Sequence, residues 1–400
     1  MKSKNLLLSL IVLLFSFSTF AQDTLKKKDT GYVFTVVKKL PATSVKNQYR
    51  SGTCWSFSGT SFLESELLRM GKDSVNLSPM FCVRNAYSDK AIIYIRWGGK
   101  HNFGSGGEFH DVTNVLKNYG MVPYEAYTGN VIGEDNPVHG EMDAVLQADV
   151  DAVLKNNNRK LTPVWHLGFD GLLDSYLGKV PEKFTYKGKE YTPKSFAQSL
   201  GLNPDDYIEL TSFTHHPYYS KFILEIPDNW ALGQVYNLPL DDMMRIVDNA
   251  INTGYTVAWG GDVSEKGFSW KNGVAVVPDK KAPELAGIEK GKWEKMSSND
   301  RDKELYKFER PVPEKTITPE LRQEEFDNYS TTDDHGMHIT GIATDQNGTK
   351  YYIVKNSWGT ENAKYKGYFY ASEDYVKLKT TDIMVHRDAI PKDLRKKLGL

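Results

Sequence analysis

The sequence predicts an α+β fold, and three observations carry that reading. After Cys54 the apolar residues Phe62, Leu63, Leu67, Leu68 and Met70 form a helical stripe that ends at Gly71. From Tyr255 onward, short apolar runs of strand length are separated by turn signals, the clearest being Asn347-Gly348. Between these regions, residues 137–245 mix helical periodicity with a hairpin signal.

Taken in order, Tyr32 to Lys38 is β-prone, and Cys54 opens the first helix. Cys82 follows Ser78-Pro79-Met80-Phe81 and is expected inside a second helix. Gly104-Ser105-Gly106-Gly107-Glu108 precedes an amphipathic run through Val112, Val115 and Leu116 to Gly120. Met142, Val145, Leu146, Val150, Val153 and Leu154 keep helical spacing. Phe184 to Pro193 is hairpin-like around Lys187-Gly188, and a helix runs from Pro193 to about Leu200. The stretch from Asp205 to Trp230 is aromatic-rich and expected to be irregular, and Asp241 to Asn252 is helical up to Gly254. Tyr255 to Gly261 and Gly273 to Val277 are strands, followed by a charged surface excursion from Asp279 to Glu325. Strands resume over Met337 to Ala343 and Tyr351 to Lys355. That hairpin sets His335 and Asn356 on adjacent ends of paired strands. Pro391 to Leu400 is a last helix.

The chain has 400 residues, enough for one large core or two smaller ones. Its 50 Lys and Arg balance 51 Asp and Glu, so bulk charge gives no sign of a nucleic-acid partner. Residues 1–21 read as an export signal: Lys2 and Lys4 make the basic start, Leu6 to Phe20 the apolar stretch, and Thr19-Phe20-Ala21 the cleavage site. The apolar run is shorter than the roughly 20 residues a span requires. The mature protein, 22–400, is therefore expected outside the cytoplasm, periplasmic or secreted, with no membrane span. Exported proteins usually carry disulfides. Here Cys54 and Cys82 are the two cysteines, and two free thiols are expected, because a bond between them would consume the nucleophile proposed next.

Three segments carry chemistry: Gln48-Tyr-Arg-Ser-Gly-Thr-Cys54-Trp55, Asp334-His335-Gly336-Met337, and Lys355-Asn356-Ser357-Trp358-Gly359. In the order Cys, His, Asn they supply a nucleophile, a base and a group that orients the base. The thiolate is the reactive form, and a helix N-terminus with a nearby imidazolium favours it. His335 takes the thiol proton and later protonates the leaving amine. Asn356 accepts from the other imidazole N–H, and Gln48 donates its amide to the tetrahedral oxyanion beside the backbone N–H of Cys54. Trp358 is expected to cover the His–Asn contact. His338 is the rival base, pointing opposite to Met337 and Ile339 on an alternating strand. The remaining histidines, including His215-His216, lack metal-ligand company, so no metal or cofactor is expected.

Together these segments resemble the papain-like cysteine peptidases, with Asp334-His335-Gly336-Met337 similar to that family's Asp-His-Ala-Val. The resemblance selects His335 over His338. It is greatest to the bleomycin hydrolase and aminopeptidase C branch, through Phe184 to Pro193, Ser212-Phe213, Tyr236-Asn237-Leu238-Pro239-Leu240 and Ala258-Trp259-Gly260-Gly261-Asp262-Val263. It implies a papain-like two-lobed fold. A helical lobe spans about 48–136, a large, mostly helical insert about 137–245, and a β-barrel lobe about 253–390. It implies peptide substrates, backbone hydrogen bonds to them from Gly106 and Gly107, aminopeptidase activity and a homo-oligomer, a hexamer in the branch. Two departures are expected. The lead-in from Gln22 to Gln48 is too short for the inhibitory pro-segment of secreted relatives. The chain also stops at its last helix, without the C-terminal arm that reads the substrate's amine. An aminopeptidase then needs another carboxylate for that ammonium, either that of Leu400 or an acidic residue of the insert. The alternatives are an endopeptidase with an open cleft and a peptide-binding protein without activity.

Overall fold

The computed structural model describes residues 31–158, 160–280 and 295–400. The expected export signal, 1–21, and the first residues of the lead-in, 22–30, lie outside the described residues. Strand β1 (Thr35–Lys39) comes first, then α1 (Cys54–Arg69), α2 (Pro79–Arg96) and α3 (Phe109–Asn118). Local caps start α2 and α3 where the sequence suggests. Ser78 Oγ accepts from the Phe81 N–H at the cap of α2, with Pro79 at the first helical position. Asp111 accepts from the Glu108 N–H at the start of α3.

Next come α4 (Gly140–Leu154), α5 (Val164–Leu177), a hairpin of β2 (Phe184–Tyr186) and β3 (Lys189–Tyr191), and α6 (Pro193–Leu200). Lys187 and Gly188 both take positive φ, as a two-residue hairpin turn of this hand requires. Helix α5 has no counterpart among the sequence expectations. Its buried residues are Phe169, Leu173 and Leu177, one per turn, and Gly168 and Gly171 dilute the apolar signal between them.

The segment expected to be irregular, Asp205 to Trp230, instead forms β4 (Tyr207–Thr211) and β5 (Lys221–Ile223), and β6 (Gln234–Asn237) and α7 (Leu240–Thr253) follow it. These strands are short, and long turns hide their alternation. β7 (Val257–Gly261), β8 (Phe268–Ser269) and β9 (Val274–Ala275) precede α8 (Ser298–Leu305) and α9 (Pro319–Asp327). β10 (His335–Thr344), β11 (Lys350–Lys355), β12 (Tyr368–Ser372), α10 (Glu373–Lys379), β13 (Thr380–His386) and α11 (Lys392–Leu398) complete the chain.

Eleven strands make one mixed sheet in the order β5-β6-β4-β13-β7-β10-β11-β12-β9-β8, with β1 also paired to β10. Strand β10 is central and is paired on both edges from His338 onward. Its first half pairs with β7, its second half with β1, and its other edge with β11. Two large apolar cores result. One packs α1 to α6, through residues such as Phe62, Phe81, Val112, Leu146, Phe169 and Phe196. The other packs the sheet against α7, α10 and α11, through Ile246, Trp259, Ile339, Tyr375 and Leu394. The 137–245 region divides between them. Helices α4 to α6 join the first core, and β4 to β6 extend the sheet of the second, so in that region the helices up to Leu200 give way to strands between Tyr207 and Asn237. The fold is α+β with a helical part and a sheet part.

Candidate active site

Cys54 is the first residue of α1 and is partly exposed, while Cys82 is fully buried in α2; both thiols are free. Helix α1 is buried on nearly all sides, and Glu64 within it is fully buried. That carboxylate pairs with Lys46 at 2.5 Å, accepts from the Leu77 N–H at 2.7 Å, and bonds Thr43 Oγ1. The segment leading to Gln48 is thereby fixed to the helix that carries Cys54.

Gln48 is buried, and both ends of it meet Ser357. Its N–H donates to the Ser357 carbonyl at 2.8 Å, and Ser357 Oγ donates to its Oε1 at 2.6 Å. The oxygen end of the carboxamide is thus occupied, leaving its NH2 as the end available to a ligand. Asn356, the neighbour of Ser357, lies beyond the end of β11.

His335 begins β10 opposite Gly261, and its Nε2 lies 2.7 Å from Asn356 Oδ1. The same Oδ1 accepts from the Ser357 N–H at 2.7 Å, which fixes the amide. With Nε2 engaged, Nδ1 is the ring nitrogen left to serve a thiol. Trp358 lies over the imidazole, ring centroids 4.7 Å apart, backed by Trp270 and Phe268. Gly336 explains how β10 comes so near α1: a Cβ there would lie 3.2 Å from Trp55 Cα and 2.8 Å from Ser58 Oγ.

Burial pushes the Cys54 thiol up to about 12, and the charges of Asp228 and Asp333 add to the rise. The backbone N–H groups of Gly336 and Trp55 pull the other way. Burial lowers the His335 imidazole to about 4, against the opposing effects of Asn356 and Asp334. His338 is elsewhere. It is fully buried, with Nδ1 2.9 Å from Ser61 Oγ, and Lys355 Nζ donates to that same oxygen at 2.7 Å. Burial and the neighbouring Lys355 charge hold the His338 imidazole well below its ordinary range, so the ring is neutral. Ser61 is seven residues along α1 from Cys54, roughly 10 Å by helix rise.

Gly106 and Gly107 are buried beside the start of α1. Trp55 Nε1 donates to the Ser105 carbonyl at 3.2 Å, and its indole presses on Gly107, where a Cβ would lie 3.0 Å from Cε2. The Gly106 carbonyl accepts from Lys90. Asp228, which the sequence reading did not single out, lies against the α-carbon of Gly106, and no local pattern marks it. The His215-His216 pair also differs from expectation, because Glu225 joins it. His215 Nε2 is 2.7 Å and His216 Nε2 3.4 Å from that carboxylate, and the three candidate ligand atoms lie within 4.8 Å of one another. The two imidazoles lower the Glu225 pKa, as in an ion-paired surface cluster.

Residues 286–399 match the model of the Peptidase C1-like family. The chain is similar to Aminopeptidase G of Lactobacillus delbrueckii subsp. lactis, 22% identical with 90% of this chain and 85% of the relative covered. It is likewise 22% identical to Aminopeptidase C of the same organism, over 94% of this chain and 86% of the relative. Among solved structures, PepW of Lactobacillus rhamnosis HN001 superimposes with a TM-score of 0.68 at 18% identity, covering 91% of this chain and 84% of that one. The chain thus shares its fold with PepW, and its likeness in sequence is to cysteine peptidases of the C1-like family and to aminopeptidases.

Proposed function

We propose that this papain-like cysteine peptidase is an exported aminopeptidase in which Cys54 is the nucleophile, His335 the base and acid, and Asn356 the group that orients the imidazole. The observation that carries the reading is the 2.7 Å bond from His335 Nε2 to Asn356 Oδ1 beside the Cys54 end of α1. His335 Nδ1 takes the thiol proton as sulfur attacks the peptide carbonyl. The developing oxyanion receives the backbone N–H of Cys54, unpaired at a helix start, and the Gln48 amide. The imidazolium then protonates the departing amine, and the same ring activates the water that hydrolyses the thioester. Trp358 excludes water from the His335–Asn356 bond.

The aminopeptidase part draws on the names of the relatives and on the cleft described next. Cys54→Ala is expected to abolish release of a fluorogenic aminoacyl group under reducing conditions and labelling by a thiol-directed epoxide, while Cys82→Ala keeps both. Mass spectrometry of peptides with free and acetylated N-termini reads the mode of attack. Release of single residues from the free peptides alone is the expected result. Internal cleavage of acetylated peptides would instead mean an endopeptidase, and no cleavage at all a binding protein. Export draws on the basic and apolar pattern of residues 1–21. It predicts an extracytoplasmic protein starting at Gln22, which fractionation and N-terminal sequencing test. The same reading carries a homo-oligomer, up to the branch's hexamer, which sedimentation velocity would show or exclude.

A further inference from the structure

The loop between β5 and β6 crosses from the sheet to the helical core. Its flanks, Phe222, Leu224 and Val235, pack in a small cluster of their own, whereas Trp230 is buried in the core of α1 to α6. Asn229 stiffens the loop: its Nδ2 donates to the Leu224 and Gly233 carbonyls at 2.8 and 3.0 Å, and its Oδ1 accepts from the Gly233 N–H at 2.7 Å. Asp228, one residue earlier, is thus delivered on a rigid support. Its Oδ1 accepts from Asn102 Nδ2 at 3.2 Å, and its N–H donates to Asp333 Oδ2 at 3.3 Å, two residues before His335. Its Oδ2 has no hydrogen-bond partner among the described residues and lies over Gly106, where an added Cβ would be only 1.7 Å away.

We infer that Asp228 is the receptor for the free α-ammonium group of the substrate, and that it closes the cleft one residue beyond the scissile bond. This rests on the aminopeptidase reading and names the group that enforces it. Three observations converge. The carboxylate stands between the Gly106 turn and the strand of His335, near enough to Cys54 for its charge to act on the thiol. It covers the α-carbon of Gly106, so a second substrate residue meets the carboxylate there, and Lys90 already donates to the Gly106 carbonyl. One of its oxygens is tied to a neutral amide and the other is open to a cation. A carboxylate on a rigid, half-buried loop pairs with an ammonium at little ordering cost. An acylated N-terminus brings no compensating charge and meets the loop sterically.

The test compares kcat/KM for a fluorogenic aminoacyl substrate and for its desamino counterpart, in wild type and in Asp228→Asn. Wild type is expected to favour the free amine by about 100-fold, the effect of one charged hydrogen-bond partner in a desolvated site. Asp228→Asn is expected to reduce that ratio to a few-fold, mostly through KM, while stoichiometric epoxide labelling of Cys54 shows the site intact. A ratio unchanged in Asp228→Asn overturns the inference and leaves the aminopeptidase reading standing. A wild-type enzyme with no preference for the free amine, and with internal cleavage of acetylated peptides, overturns both. Should Asp228→Asn fail to label, Gly106→Ala supplies the reading, because its methyl group displaces the carboxylate without removing its charge. A reduced ratio there upholds the inference, and an unchanged one overturns it.

Discussion

Where one proton sits decides how Cys54 and His335 behave. The thiol is pushed up to about 12 and the imidazole down to about 4, so the pair together holds a single proton across that whole window. Because His335 takes the thiol proton as sulfur attacks, alkylation of Cys54 by iodoacetamide is expected to be nearly flat from roughly pH 5 to 9 and to fall as a second proton binds near pH 4. In His335→Ala the thiol keeps its proton with no imidazole to take it, and the rate should climb about tenfold per pH unit toward the thiol's own pKa. A wild-type profile that climbs in the same way would show that the two groups do not act as a pair. The two histidines of β10 should also separate. His335→Ala is expected to lose about 10²–10⁴ in kcat. His338→Ala should keep most activity and lower stability by about 1–3 kcal/mol, since it strips a partner from the buried Ser61–Lys355 chain. Urea denaturation and steady-state kinetics measure both. Ser357→Ala frees the oxygen end of Gln48, and a fall in kcat of up to ~10-fold with KM little changed is expected, smaller than the ~10²–10³ for loss of an oxyanion donor itself.

Among the elements, α1 and the segment before it work as one piece. Glu64 is fully buried, and Lys46 is nearly so, with 14% of its side chain exposed. Glu64→Ala leaves Lys46 without its carboxylate and frees Thr43 and the Leu77 N–H, a loss of about 3–5 kcal/mol. A denaturant midpoint unchanged in this variant would mean that Glu64 does not clamp the segment. Helices α1 to α4 and α6, both hairpins, β7 and β10 were legible because caps, turn residues and periodicity agree within a short window. Helix α5 and strands β4 to β6 were not. The first has glycines in its stripe, and the others owe their strand form to pairing with β13 and with one another.

The molecule packs around two large cores, and the candidate site lies where α1 of one meets β10 of the other. The loop from β5 to β6 ties them a second time through Trp230. Trp230→Ala is expected to cost about 3–5 kcal/mol in stability. Because the loop then loses its seat, selectivity for free N-termini should weaken in parallel, as read by the aminoacyl to desamino ratio. A stability loss without a selectivity change would show that the loop keeps its place by other contacts.

The sequence by itself determined the chemical identities: a thiol at a helix start, an imidazole and an amide on the ends of a hairpin, and a carboxamide shortly before the thiol. Each belongs to a segment whose conformation is set within a few residues, and their order along the chain already names the chemistry. Only the tertiary structure decided which groups surround them. His338 rather than His335 is drawn into the Ser61–Lys355 chain because β10 crosses α1 at Gly336. Asp228 reaches Gly106 because Trp230 is buried in a core to which its own strands do not belong. Such contacts join residues far apart in the chain, and the packing that creates them is cooperative, so no local spacing carries their signal.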